Sequence, residues 1–293
     1  MTIKRTPFQK ILQTLNEAQQ IPIDLLPLLP KGWKRVGRVG VLELKTPLLP
    51  WKREIGEAYL QHLPELKTMA LKVGVTNTTV RQPALELLAG EEKTVTLHKE
   101  LECKFWIDAL KLTFSNGNHA ERQRMVKLSK KKEQVIDMFA CVGNLSIPIA
   151  VHNPTAQIIG IEINPYAHQF LEKNIQENQL TDRYQALLGD NRKITPTNWA
   201  NRVIMGYFTI DKQQLTKALA SLQQQQGGTI HAHGLTTTRH MHDWKKEITT
   251  LINTSFPHFK IIQTQKTIIK SVAPGVNHFV NDITITTTNE TKA

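Results

Sequence analysis

The stretch Val135-Ile136-Asp137-Met138-Phe139-Ala140-Cys141-Val142-Gly143-Asn144-Leu145-Ser146-Ile147-Pro148 constrains this chain more than any other. It reads as a short apolar strand, an acid, a turn of small residues with a glycine, and the opening of a helix. A tight strand–turn–helix corner of this kind brings backbone N–H groups to the carboxyl edge of a parallel sheet, where doubly wound α/β proteins bind ligands. Two further acids end strands downstream, Glu162 and Asp190. The repetition, rather than any single motif, carries the signal.

From residue 134 the rhythm is βαβ. Strand 135–139 leads into a helix from about 144 to 152. Strand 157–163 leads into a helix that opens near Pro165, and proline is favoured in a first helical turn. Strand 184–188 precedes Gly189-Asp190-Asn191. Strand 202–207 precedes a helix over 211–224, and strand 229–233 precedes a helix over 243–253. The last two strands, 259–272 and 277–288, are joined by Ala273-Pro274-Gly275-Val276, short enough for an antiparallel hairpin.

The earlier part of the chain differs. Phe8, Ile11, Leu12, Leu15 and Ala18 recur at helical spacing. Lys31, Lys34, Arg35 and Arg38 surround Trp33, a grouping that suits phosphate contact and base stacking as well as it suits a solvated loop. Residues 39–45 read as a strand and 51–63 as a helix, and from 67 to 114 the pattern is β-rich. The sequence therefore divides into a basic segment over 1–66, open to RNA contact, a small β-rich domain over 67–118, and a ligand-binding domain over 119–293. Asn118 is placed to cap a helix over 119–128 that carries Arg122, Arg124 and Lys127.

Charge narrows the partner. Lys and Arg number 37 against 25 Asp and Glu, a formal surplus of +12, which favours a polyanion and most simply nucleic acid. The two cysteines are too few for a disulfide framework or a cysteine-based zinc site, and a reducing cytoplasm is expected. The longest apolar run, 135–151, is interrupted by Asp137, Gly143, Asn144 and Pro148, so no membrane partner is expected. His231, His233, His240 and His242 include a pair on one strand face, but no third ligand is evident and no metal is expected. No obligate protein partner is evident.

A nucleoside ligand needs a carboxylate at the end of the second strand, because two vicinal hydroxyl donors match one two-oxygen acceptor. Glu162 fits that place. Asp190, with Asn191 beside it, is placed to accept from an adenine amino group. Strand-end acids also cap the helices that follow them, and that reading stands beside the first.

Asp137-Met138-Phe139-Ala140-Cys141-Val142-Gly143, Ile161-Glu162-Ile163-Asn164-Pro165 and Gly189-Asp190 resemble the family of tRNA guanine-N1 methyltransferases acting beside the anticodon. That family includes the wybutosine-pathway enzyme that transfers an aminocarboxypropyl group. Phe114-Ser115-Asn116-Gly117-Asn118 with Glu121-Arg122, Ile230-His231 with His233, and Ala273-Pro274-Gly275-Val276 are similar to the aminocarboxypropyl branch. Arg202-Val203-Ile204-Met205-Gly206-Tyr207 stands where methyl-transferring relatives carry Asn-Leu-Pro. Gly234 after His233, Phe208 to Asp211, and Asn144-Leu145 depart from the pattern, and residues 1–66 match nothing in it.

The resemblance implies a Rossmann-like class I methyltransferase fold: α/β, a mostly parallel seven-stranded sheet ending in an antiparallel hairpin, with a small β-rich N-terminal domain. It implies a transferase that moves the 3-amino-3-carboxypropyl group of S-adenosylmethionine to carbon 7 of 4-demethylwyosine, beside the anticodon of tRNA-Phe. Ser115, Arg122, Glu162, Asp190 and Asn191 map onto cofactor-binding positions, and no residue is assigned a catalytic role. Guanine N1 methylation and non-catalytic tRNA binding are the alternatives.

Overall fold

The computed structural model describes residues 5–74, 83–237 and 244–288, so His240 and His242 lie outside the described residues. The chain divides into two compact units, one of residues 1–99 with 104–116 and the other of 100–103 with 117–293.

In the first unit, α1 (Pro7–Ala18) opens on a reciprocal cap. The Gln9 backbone N–H donates to the Thr6 hydroxyl, and the Thr6 N–H donates to the Gln9 side chain at 2.8 Å. Proline at the first helical position costs nothing, because its missing N–H has no partner there. Strands β1 (Lys34–Val36) and β2 (Val39–Leu42), helix α2 (Lys52–His62), and strands β3 (Thr68–Gly74) and β4 (Ala84–Gly90) follow. The four strands form one sheet in chain order.

Strands β2 and β3 pair in parallel across residue 66. Segments 1–66 and 67–118, read from sequence as separate, thus share a sheet and a core of Ile11, Leu15, Leu42, Ile55, Tyr59 and Met69. Trp33 packs edge-on against Tyr59, ring centroids 6.1 Å apart, and rests on that core. Lys34 pairs with Glu43 at 2.5 Å. The segment around Trp33 is therefore partly structural, rather than a free stacking platform.

The apolar run after residue 94 resolves into two paired strands, β5 (Val95–Glu100) and β6 (Cys103–Asp108). Leu101 and Glu102 turn between them, with φ of 51° and 60°.

The second unit opens on α3 (His119–Leu128). Asn118 precedes it but makes no side-chain cap, because a short 3₁₀ turn over 116–118 already leads the backbone into the helix. Then come β7 (Gln134–Asp137), α4 (Ser146–His152), β8 (Gln157–Glu162), α5 (Pro165–Glu177), β9 (Tyr184–Leu188), α6 (Asn191–Ile194) and β10 (Arg202–Met205). The unit closes with α7 (Lys212–Ser221), β11 (Gly228–Thr237), α8 (Trp244–Ser255), β12 (Phe259–Ala273) and β13 (Val276–Thr287). The seven strands lie in the order β12-β13-β11-β10-β7-β8-β9. Strands β7 to β11 pair in parallel, and β13 is antiparallel to both β11 and β12. This is the doubly wound sheet with a terminal hairpin that the rhythm predicted.

Alternation sorts the strand residues between two faces. Ile136, Val203, Met205, Ile230, Ala232, Phe279 and Ile283 join Leu215, Leu219, Trp244 and Ile248 in one apolar cluster under α7 and α8. Arg202, His231 and Asp282 alternate to the opposite face and are buried there as well. The second face thus carries buried polar and charged groups among apolar ones such as Val135 and Ile204. Among the described residues, no helix is long and apolar enough to cross a membrane.

Candidate functional site

The carboxyl edge at β7 and β8 is built around the turn after Asp137. Cys141 sits at φ 51° and Gly143 at φ 89°, and the Gly143 N–H donates to the Ala140 carbonyl at 2.7 Å. A side chain at Gly143 would be strained by that backbone, and its Cβ would lie 2.4 Å from Ile147. Asp137 is buried at 1% exposure. It accepts from the Ser146 hydroxyl at 2.7 Å and from the Phe139 N–H at 3.2 Å, and Ser146 in turn meets the Tyr184 hydroxyl at 2.7 Å. Burial pushes the Asp137 carboxyl up to about 6 against those two donors. This first acid is enclosed beneath the turn and is occupied by these two donors.

Glu162 is placed differently. It ends β8, and its two oxygens diverge: Oε2 accepts from the Cys141 N–H at 2.7 Å and Oε1 from the Asn164 N–H at 2.8 Å. Each oxygen keeps acceptor capacity after these bonds, so the carboxylate has room for two neighbouring hydroxyl donors. Burial raises its pKa, opposed by the backbone hydrogen bonds from Asn164 and Cys141.

Asp190 caps α6, accepting from the Arg192 N–H at 2.9 Å, and pairs with the Arg192 guanidinium at 2.7 Å. The hydrogen bond from the Arg192 side chain holds Asp190 below the usual carboxylate range. The helix-cap reading of this acid is thus realised in the structure. Asn191 is buried, donates from its side-chain amide to the Met138 carbonyl at 2.7 Å, and accepts from Gln214 at 3.3 Å. Glu162 and Asn191 therefore grip the same turn from its two sides, through Cys141 and Met138. Beside it, Phe139 and Tyr207 follow adjacent strands and stack with centroids 5.1 Å apart and planes 10° from parallel. The Gly206-Tyr207 corner was noted in the sequence, but its stacking partner was not.

Arg122 lies on α3 at 1% exposure. Its Nε donates to Glu100 Oε1 at 2.6 Å and its Nη2 to Glu100 Oε2 at 3.0 Å, and His119 shares Oε1 at 2.9 Å. Glu100 carried no signal in the sequence, since it is one acid in an ordinary β-strand. Ser115 is half-buried near the end of the first unit.

The two histidines of β11 are committed to protein partners. The Arg202 guanidinium donates to His231 Nε2, which leaves Nδ1–H to donate to Asp282 at 2.5 Å. His233 Nδ1 meets His278 Nε2 at 2.9 Å. Burial lowers the pKa of both rings. Among the described residues, no group of three or more His, Cys, Asp or Glu side chains could hold a metal ion.

The chain as a whole is similar to known proteins. The TRM5/TYW2 methyltransferase domain family matches residues 96–257, and the TYW2 N-terminal domain family matches residues 12–94. The chain is 38% identical over 92% of its length, and 94% of the relative's, to the tRNA(Phe) (4-demethylwyosine(37)-C(7)) aminocarboxypropyltransferase of Pyrococcus horikoshii. The crystal structure of P. horikoshii TYW2 in complex with MeSAdo superposes with a TM-score of 0.82 at 35% identity, covering 95% of this chain and 99% of that one. M. jannaschii TYW2 in complex with AdoMet gives a TM-score of 0.68 at 28% identity, covering 87% and 100%.

Proposed function

The chain belongs to the TRM5/TYW2 methyltransferase domain family, and from that membership we propose that it transfers the 3-amino-3-carboxypropyl group of S-adenosylmethionine to carbon 7 of 4-demethylwyosine at position 37 of tRNA-Phe. Methylthioadenosine is the by-product. The single structural observation that carries the reading is the Glu162 carboxylate, held by two backbone amides at the end of β8 with acceptor capacity left on both oxygens.

In this reading Glu162 accepts the two ribose hydroxyls. Asp190 and Asn191 border the adenine, and the Arg122 guanidinium answers the carboxylate of the aminocarboxypropyl tail. Ser115 completes the cofactor-binding set on the strength of the family resemblance. Carbon 7 attacks the γ-carbon of the tail, the γ-carbon–sulfur bond breaks, and the sulfur keeps its electron pair. The proton on carbon 7 leaves to solvent. The sulfonium is already a good leaving group, so positioning in line decides which carbon reacts. No metal is required. Tyr207, stacked on Phe139, stands at the strand end where methyl-transferring relatives carry Asn-Leu-Pro, a corner with different polarity and shape.

The surplus of +12 supports tRNA as partner, with the anticodon region of tRNA-Phe as the element engaged and cations of residues 1–66 contributing contacts. Both cysteines are free, which accords with a cytoplasmic enzyme.

The test is incubation of carboxyl-labelled S-adenosylmethionine with tRNA-Phe bearing the tricyclic base. Label should enter the RNA, and methylthioadenosine should be the nucleoside released. Recovery of S-adenosylhomocysteine alone would assign methyl transfer instead. Salt-sensitive tRNA binding with no cofactor turnover would leave only a binding protein.

A further inference from the structure

Helix α3 lies against α4, and its contacts to the sheet include buried charged side chains. Of its ten residues, His119 to Leu128, the buried ones are Glu121, Arg122 and Met125, with Val126 half-buried, so its fully buried apolar contact is a single side chain. A helix with so narrow an apolar contact can roll about its axis, unless directional bonds prevent it. Those bonds are present.

The Arg124 guanidinium donates to Glu121 Oε2 at 2.7 Å and Oε1 at 2.9 Å, and its remaining contacts reach both oxygens of Asp282 on β13. Asp282 is fixed from the other side by His231, and His231 by Arg202, which also holds Glu133 at 2.9 Å. His233 Nε2 stands 3.6 Å from Glu121 Oε1. The Glu121 side chain is fully enclosed. The chain of alternating charges runs from Glu133, just before β7, across β10, β11 and β13 to α3.

Consecutive residues on an α-helix point about 100° apart. Glu121 faces the sheet network while Arg122, the next residue, faces Glu100. Fixing the roll of α3 through Glu121 thus fixes the direction of the Arg122 guanidinium. We infer that Glu121 is a positioning residue: held by Arg124 and Asp282, it locks α3 so that Arg122 meets the carboxylate of the aminocarboxypropyl tail. The inference rests on the reading of Arg122 proposed above. Conformational registry is the best-attested use of buried ion pairs, whose net contribution to stability is often small.

Two ligands separate this role from a merely structural one. S-adenosylmethionine carries the tail, and methylthioadenosine lacks it. In the full chain, calorimetry on Glu121→Gln should show the Kd for S-adenosylmethionine raised about tenfold, equivalent to about 1.4 kcal/mol, with that for methylthioadenosine changed less than twofold. Arg122→Gln, measured alongside, should show the same selectivity and a larger loss. Where Glu121→Gln fails to give a cooperative melt, Arg124→Lys serves, because a lysine cannot bridge two carboxylates with a planar fork. Its expected signature is the same.

If Arg122→Gln is selective and the network variant binds S-adenosylmethionine within twofold of the parent, the positioning role falls and the reading of Arg122 stands. Equal losses for both ligands in the network variant also overturn it. If Arg122→Gln loses neither ligand, the reading of Arg122 fails first and takes the inference with it.

Discussion

Replacing Glu162 by alanine should weaken S-adenosylmethionine binding at least a hundredfold. In the proposed reading, two hydroxyl donors lose a charged acceptor, and hydrogen bonds to charged groups contribute about 1.5–3 kcal/mol each. The Cys141 N–H loses its acceptor too, in a turn whose non-glycine residue already sits at φ 51°. Glutamine is no conservative remedy. Both carboxylate oxygens accept from backbone N–H groups, so a side-chain amide must turn its own N–H₂ toward one of them.

The affinity should also depend on pH in a definite direction. Burial raises the Glu162 pKa, so the carboxylate takes up its proton at a higher pH than an exposed glutamate would. Cofactor affinity should therefore fall as the pH is lowered, beginning at a higher pH than an exposed glutamate would give. Calorimetry over a pH series, for parent and variant, checks both statements. A Kd for the alanine variant within threefold of the parent would remove Glu162 from the site.

Arg202→Met should be the most damaging single change among the buried charged groups of the second sheet face. Arg202 is 3% exposed and satisfies three groups: Glu133 at 2.9 Å, the Leu128 carbonyl at 2.7 Å, and His231. Methionine fills similar volume but leaves the Glu133 carboxylate enclosed without its counter-charge. Removing one partner of a buried pair costs about 3–5 kcal/mol. For a unit of this size that lowers Tm by roughly 10 °C.

The double variant Arg202→Met with Glu133→Gln should recover a large part of the loss, because the uncompensated charge goes with the second change. Calorimetric melting of the three variants decides the matter. A drop of under 2 °C for Arg202→Met, or no recovery in the double variant, would mean the network is not coupled as its geometry indicates. Asp282 adds a pH signature. Burial alone would raise its carboxyl, but the hydrogen bonds from His231 and Arg124 outweigh that and hold it at about 2. A depressed acid stabilises the fold above its unfolded pKa. That contribution is therefore lost only as the pH falls from near 4 toward 2.

Parallel strands buried on both faces read as near-continuous apolar runs, and each run here ends at a marked residue: Asp137, Glu162, or Gly189 before Asp190. Local pattern was therefore sufficient to set the strand order of events, the helix openings at Pro165 and the closing hairpin. It marked Glu162 only as one of three strand-end acids, each of which could equally cap the helix that follows.

Division of labour among the three acids was beyond it. Asp137, Glu162 and Asp190 look alike in the sequence, yet one is buried under the turn, one is half-buried and accepts from the Cys141 and Asn164 amides, and one is held by Arg192. Those fates depend on Ser146, Tyr184, Asn164 and Arg192, which the fold brings near. The same holds for the boundary near residue 66, which dissolves because a parallel β2–β3 pair must bridge a long connection that no local signal announces.

The amino-acid order by itself determined the α/β architecture and the family, because hydrophobic period and strand-end chemistry are local properties. Only the tertiary structure decided that Glu133, Arg202, His231, Asp282, Arg124 and Glu121 form one largely buried hydrogen-bonded network. These residues are scattered over 162 positions, from Glu121 to Asp282. Their pairing is a matter of lateral register between strands and of one helix laid across them, and register is a long-range property.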